Sequence, residues 1–224
     1  MADRSDRVGR HNGSVSTNPS RSRMTGQQRR EQLIVVGRQV FAERGVGATT
    51  VEEIASKAGV TKPLIYEHFG GKEGLYAVVV DREMARMLEV ITKALTADES
   101  SPHQLLEDAA LAVLTYIQDS PDGFRVLTHD SPSWHTGGSL GSLMSDIAVQ
   151  VEQALATTFK KTNLDMKSVP IYAQMLLGCI ALTGEWWLES GRKVKKEELA
   201  AHMVNLIWNG LTGMEPKPKL GRKS

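Results

Sequence analysis

The sequence predicts an all-α protein: an N-terminal three-helix unit containing a helix-turn-helix, followed by a larger helical domain. Three observations carry that prediction. Apolar residues recur three and four positions apart along most of the chain, and no stretch alternates as a half-buried strand does. Ser or Thr followed three residues later by Gln or Glu, the signature of a capping box, occurs at Thr25, Thr50 and Ser101. Glycine or proline interrupts the periodic runs at Gly45, Gly59, Gly70-Gly71, Pro121 and Gly191.

Composition sets the outer limits. A chain of 224 residues with 41% hydrophobic and 24% charged side chains can bury a full core without staples. Its one cysteine, Cys179, excludes an intrachain disulfide. With no apolar N-terminal run and no obvious spanning stretch, the expectation is a cytoplasmic protein with no membrane partner. The net charge of +1 conceals an asymmetry: residues 1–72 hold 12 Lys/Arg against 7 Asp/Glu, and the remainder 15 against 19. A basic first third on an acidic body suits contact with a polyanion, although charge runs are commonly just solvated surface.

Taken in order, residues 1–24 form an Arg-rich tail with few aliphatic side chains, expected to be disordered. Thr25 with Gln28 opens the first helix, whose apolar face is Leu33, Val36, Val40 and Phe41, and Arg44-Gly45 closes it. Thr50 with Glu53 opens a short second helix to about Lys57. Thr61 with Pro63 opens a third, to about Phe69, because proline is tolerated in a first turn. A long fourth helix begins at Lys72, with Leu75, Val78, Val79, Leu88, Ile91 and Leu95 as its expected buried stripe. Ser101-Pro102 starts the next, to about Asp119, and Ser120-Pro121 a short one after it. Residues 131–141 read as a loop, and a helix resumes near Ser142 and ends near Asn163. Two final helices are expected at about 167–190 and 195–213, before a basic tail at 215–224. The domains are thus 25–72 and 73–214.

The stretch from Thr50 to Lys72 carries the chemistry. Two short helices joined by Ala58-Gly59-Val60 need a positive φ at the turn, which glycine adopts without steric cost. Ala55 permits close crossing, while Ile54, Val60 and Ile65 fill the wedge. Many helical proteins contain such a pair. Here the second helix also clusters Thr61, Lys62, Tyr66 and His68, with Lys72 just beyond, all able to donate to phosphates or base edges. A helix so equipped is shaped for a DNA major groove.

The run I-A-x-x-A-G-V-T-x-x-x-I-Y-x-H-F-x-x-K-x-x-L, Ile54 to Leu75, resembles the signature of the TetR family of bacterial one-component transcriptional regulators. Phe41-Ala42-Glu43-Arg44-Gly45 and Thr49-Thr50 fit the same pattern. The resemblance covers about residues 25–80. It implies that Tyr66, His68 and Lys72 meet the DNA backbone, and that Thr50 meets a phosphate at the start of the second helix. Thr61, Lys62, Pro63 and Leu64 then occupy the exposed first turn of the recognition helix, Lys62 reaching guanine and Pro63 or Leu64 a thymine methyl. Ile65 and Phe69 are expected in the core and Glu67 in solvent. Arg21, Arg23, Arg29 and Arg30 could reach phosphates or a minor groove, or belong to a tail with no partner.

The resemblance also implies a homodimer through about 167–190 and 195–213, reading a palindromic operator in double-stranded DNA. The last helix shows Leu199, Met203, Leu206, Ile207 and Leu211 on one stripe, and the one before it is apolar over much of its circumference. The expected effector is a small hydrophobic or aromatic molecule. Its candidate contacts are Tyr116, Phe124, Trp134, Met144, Met175 and Trp187, residue types that more often simply fill cores. The function expected is a ligand-released repressor; an activator or a ligand-independent regulator are the alternatives. No cofactor, metal site or enzymatic activity is expected: the six histidines show no ligand spacing, and no P-loop is present. Cys179, inside an apolar helix, reads as a core residue.

Overall fold

The computed structural model describes residues 24–96, 101–129 and 139–213, without the side chains of 129, 139–143, 211 and 212. Nine α-helices and no strand occur among the described residues: α1 Gly26–Ala48, α2 Val51–Ala58, α3 Lys62–Phe69, α4 Lys72–Leu95, α5 Pro102–Asp119, α6 Pro121–His129, α7 Ser139–Lys161, α8 Val169–Glu189 and α9 Lys196–Thr212. A 3-10 turn, Met166–Ser168, precedes α8.

The caps act as the sequence requires. Thr25, Thr50 and Ser101 each form both hydrogen bonds of a capping box, which supplies partners for amides that have none in a first turn. Pro63 and Pro102 stand in first turns. Gly45 interrupts α1 with φ 73° and ψ 165°, and a further turn follows to Ala48. The buried Thr49 hydroxyl donates to the Gly45 carbonyl at 2.7 Å and closes that break.

One continuous core joins the small N-terminal helices to the larger bundle. Leu33, Phe41, Ile54, Ile65 and Leu75 are fully buried where α1–α4 meet, and Phe41 packs edge-on against Tyr76 at 5.1 Å. α4 continues from there into the bundle, packing on α5 and α7, while α6 lies against α1. The buried face of α4 is Leu75, Val79, Val80, Glu83, Met87 and Ile91. Val78, Leu88 and Leu95 are only partly buried, a correction to the expected stripe. The stripe winds from Leu75 through Val79, Glu83, Met87 and Ile91 in steps of four, and it includes a carboxylate.

Two further corrections concern the last helices. Leu206, placed on the buried stripe of α9, is 70% exposed, and Leu199, Ala200, Met203, Val204 and Ile207 fill that role. Met166–Glu189 is long and apolar enough to cross a membrane by length and composition, although no such stretch was expected. Its apolar character has two sources. Ala173, Ala181, Trp187 and Leu188 face the bundle, while Ile171, Met175, Leu182 and Trp186 point outward.

Candidate DNA-reading surface and apolar cavity

The second helix of the turn is held by its neighbours so that one face is free. Gly59 ends α2 in the left-handed conformation (φ 64°, ψ 39°), and the Val60 amide donates back to the Ala55 carbonyl at 2.9 Å. Gln32 of α1 donates to the Ala58 carbonyl at 3.0 Å. Ile65 anchors α3 in the core. At the far end, Arg30 of α1 lies over the Phe69 ring at 4.4 Å and donates to the His68 carbonyl at 2.8 Å. Phe69, expected in the core, is therefore half-buried beneath a guanidinium.

This leaves Thr61, Lys62, Pro63, Tyr66 and Glu67 exposed, with Thr50 exposed beside them at the start of α2. Leu64 and His68 are half-buried. Thr61 stands at the N-cap of α3 without a side-chain cap bond, so its hydroxyl is not committed to the helix. The Thr50 oxygen accepts from the Glu53 amide at 3.2 Å, and its hydroxyl also faces the Glu53 carboxylate, which it helps hold below the ordinary range. Tyr66 is 55% exposed.

The cations of this unit are all engaged. Lys62 pairs with Glu52 of α2 and holds that carboxyl below its ordinary range. Arg44 pairs with Glu53 at 2.5 Å and Lys57 with Glu43 at 2.8 Å. Arg29 donates to Gln32 at 2.7 Å. The Lys72 ammonium donates to the Val46 and Thr49 carbonyls at 2.9 and 2.8 Å, bracing the segment between α1 and α2. Lys72 thus has a structural partner where only a phosphate contact was expected. Arg21 and Arg23 lie outside the described residues.

A buried polar cluster joins α1 to the larger bundle. Glu83 of α4 is 3% exposed. It accepts from Arg38 of α1 at 3.0 Å, from the Tyr116 hydroxyl at 2.8 Å, and from Ser120 at 3.2 Å, with Arg86 at 3.4 Å. Burial pushes the carboxyl up, but the Tyr116 hydrogen bond and the two guanidinium groups outweigh this and hold it below its ordinary range. Burial and the neighbouring carboxylate push the Tyr116 phenol well up, so it stays a donor.

Within the bundle lies an apolar cavity of about 490 Å³ between α5, α7, α8 and α9, in the size range of small-molecule sites. Leu105, Leu106, Leu155, Phe159, Leu176, Ile180 and Trp208 line it. Thr158 and Thr162 supply the only hydroxyls, and no charged side chain lines it among the described residues. A second chamber of about 60 Å³ shares Leu95, Ala109, Val151, Leu177 and Ile180 with it and reaches Met87, Phe124 and Met144.

Of the expected effector contacts, Phe124 and Met144 line the smaller chamber. The other described ones lie elsewhere. Tyr116 is turned to Glu83, and Met175 is 61% exposed. Trp187 is buried, its indole donating to the Val194 carbonyl at 2.8 Å. Trp134 lies outside the described residues. The cavity walls are mostly Leu, Ala and Val from several helices, which leave no local mark in the sequence. Among the described residues no group of three or more His, Cys, Asp or Glu is placed to hold a metal ion.

Comparison with known proteins places this arrangement. Residues 33–79 match the family described as bacterial regulatory proteins, tetR family. The HTH-type transcriptional activator FasR of Mycolicibacterium smegmatis is 26% identical over 195 residues, covering 85% of this chain and 86% of its own. The HTH-type transcriptional repressor BepR of Brucella suis is 34% identical over 94 residues, 42% of this chain and 45% of its own. Among solved structures, the transcriptional regulator FadR from Bacillus subtilis in complex with stearoyl-CoA aligns with a TM-score of 0.66 at 19% identity, covering 80% of this chain and 98% of that one.

Proposed function

We propose that this chain, a DNA-binding transcriptional regulator that belongs to the tetR family through its helix-turn-helix, reads a palindromic operator as a homodimer and answers to a hydrophobic effector held in the 490 Å³ cavity. The observation that carries the reading is the exposed polar face of α3, where Thr61, Lys62 and Tyr66 project beside Thr50 from a helix pinned on its other side by Ile65. Lys62 reads guanine; Thr50, Tyr66 and His68 meet phosphates; Pro63 and Leu64 sit where a thymine methyl would fall. Lys72 reaches a phosphate by exchanging one carbonyl for it.

The dimer reading rests on α8 and α9. Ile171, Met175, Leu182 and Trp186 are each more than half exposed and fall four, seven and four residues apart, which is one face of a helix. Gly178 lies on that face with open space beside it, and Leu206 of α9 is likewise exposed. An apolar stripe of this extent fits a second copy of the chain. Two recognition helices related by a two-fold axis would read both halves of a palindrome.

The effector reading rests on the cavity's size and its uncharged, largely aliphatic wall, which suit a long aliphatic chain better than the aromatic molecule considered from sequence. FadR, of similar fold, was solved with stearoyl-CoA. Release of DNA on effector binding makes the chain a repressor acting in the cytoplasm. Activation is the second reading, favoured because the relative matched along most of the chain is named an activator. Selection of operators from a randomised library, followed by mobility shifts with and without stearoyl-CoA, tests these readings. Failure to enrich a palindrome would remove the operator claim. Unchanged shifts at saturating stearoyl-CoA would remove that effector.

A further inference from the structure

We propose that Glu83 is a latch that fixes α1, and with it the DNA-reading unit, on the rest of the molecule, and that the small apolar chamber beside it is where an effector opens the latch. The first half stands on the polar cluster alone; the second rests on the effector reading above.

Glu83 is the one charged residue in the core among the described residues. Burying a carboxylate is costly, and an apolar side chain of similar size would fill the space at less cost. What the carboxylate adds is a directional tie between helices. Arg38 reaches it from α1, and Tyr116 and Ser120 reach it from the end of α5. α6 leaves it room: a Cβ on Gly123 would stand 2.7 Å from the Glu83 carboxyl carbon and 2.5 Å from the Ser120 oxygen. The tie is not fully satisfied. Arg38 Nε is buried without an acceptor, and its Nη1 lies 3.5 Å from Ser120, at the limit of a hydrogen bond. Arg38 therefore keeps a donor that another placement of α1 could use, as a two-state element requires.

The smaller chamber adjoins the latch through the same helices. It is lined by Met87, one turn beyond Glu83 on α4, by Val113, one turn before Tyr116 on α5, and by Phe124, next to Gly123 on α6. At about 60 Å³ it is too small for a chain segment as it stands. A ligand extending into it from the larger cavity must spread its walls, which α4, α5 and α6 share with α7 and α8, and outward movement of the first three lengthens the hydrogen bonds to Glu83. Such a ligand prefers the opened state, which is the differential affinity that a conformational response requires.

The experiment uses the full chain with Tyr116→Phe, Ser120→Ala and Phe124→Trp, the last enlarging a chamber wall without ligand. Amide exchange is followed in residues 34–42 of α1, with residues 199–204 of α9, which line neither cavity, as reference, together with affinity for the library-selected operator. Tyr116→Phe removes one hydrogen bond to a charged group. It should raise exchange at 34–42 about tenfold with the reference little changed, and weaken operator binding. Phe124→Trp should do the same in the absence of ligand. Exchange that rises equally in both segments, or stays at the wild-type level in 34–42, overturns the latch. The last arm adds stearoyl-CoA to the wild type, where 34–42 should loosen. No binding of stearoyl-CoA removes that effector while the substitutions still decide the latch; binding that leaves 34–42 protected overturns the chamber as its trigger.

Discussion

Replacing Gly123 by alanine sets two physical effects against each other. Alanine within a helix is favoured over glycine by about 1 kcal/mol, which alone would stabilise α6. The added Cβ, however, would stand 2.7 Å from the Glu83 carboxyl carbon and 2.5 Å from Ser120 Oγ, where ordinary contact begins at 3.4 Å. The carboxylate cannot swing aside cheaply, because Arg38, Tyr116 and Ser120 hold it. Overpacking of a filled site costs about 1–3 kcal/mol, and stretching a hydrogen bond to a charged group adds about 1.5–3 kcal/mol at most. The expected net loss is about 2–3 kcal/mol, or roughly 5–10 °C in Tm for a chain of this size. Gly184→Ala is the control. Its Cβ would meet only the Cδ1 of Ile117, at 2.6 Å, the far end of a rotatable side chain. Thermal denaturation of the two variants should separate them clearly, Gly184→Ala lying near wild type. A Gly123→Ala protein melting at or above wild type would refute the reasoning, since it would mean that Glu83 has room to move.

Tyr66→Phe should weaken operator binding about two- to tenfold through one lost phosphate hydrogen bond while leaving Tm unchanged, as measured by fluorescence anisotropy and calorimetry. Lys62→Ala should reduce discrimination at one base position by about 1–3 kcal/mol, with little effect on folding because its partner Glu52 is a surface residue. Trp186→Glu with Leu206→Glu should yield monomers in sedimentation that no longer bind a full palindrome. For pH, Glu83 has its folded pKa below the unfolded value near 4.5. Its contribution is present above that value and fades as pH falls through the folded one. Arg38, Arg86 and Tyr116 face it. The Tm gap between wild type and Glu83→Gln should therefore close on acidification below about pH 4; a gap that widens there would show that the carboxylate is protonated when folded.

The DNA-reading unit was legible because its determinants are local. Thr50 with Glu53, Gly59 in the turn and Pro63 in a first turn are each visible within a few residues, and each does in the structure what its chemistry demands. The cavity was not legible, because Leu105, Leu155 and Leu176 come together only when α5, α7 and α8 pack. Of the aromatic and Met residues, Phe124 and Met144 line only the smaller chamber, while Met175 stands in solvent and Trp187 is tied to a turn. Glu83 did leave a signal, an acid four residues from both Val79 and Met87 on an otherwise apolar stripe. Periodicity read only as hydrophobic or not passes over such a residue.

The engaged cations of the reading unit bear on how DNA binding responds to ionic strength. A phosphate contact expels condensed counterions from the duplex, and the steepness of log K against log[salt] counts the contacts made. Arg38 is paired with the buried Glu83, so its charge is not free to replace sodium on the duplex, whereas Arg30 and Lys72, held by neutral carbonyls, keep theirs. Lys62, Arg44 and Lys57 must first leave Glu52, Glu53 and Glu43, whose carboxylates then attract mobile cations of their own. Uptake at the protein thus partly cancels release from the DNA. The salt slope of operator binding should fall well short of the basic residue count, and affinity would persist at ionic strengths that strip off a protein with unpaired lysines.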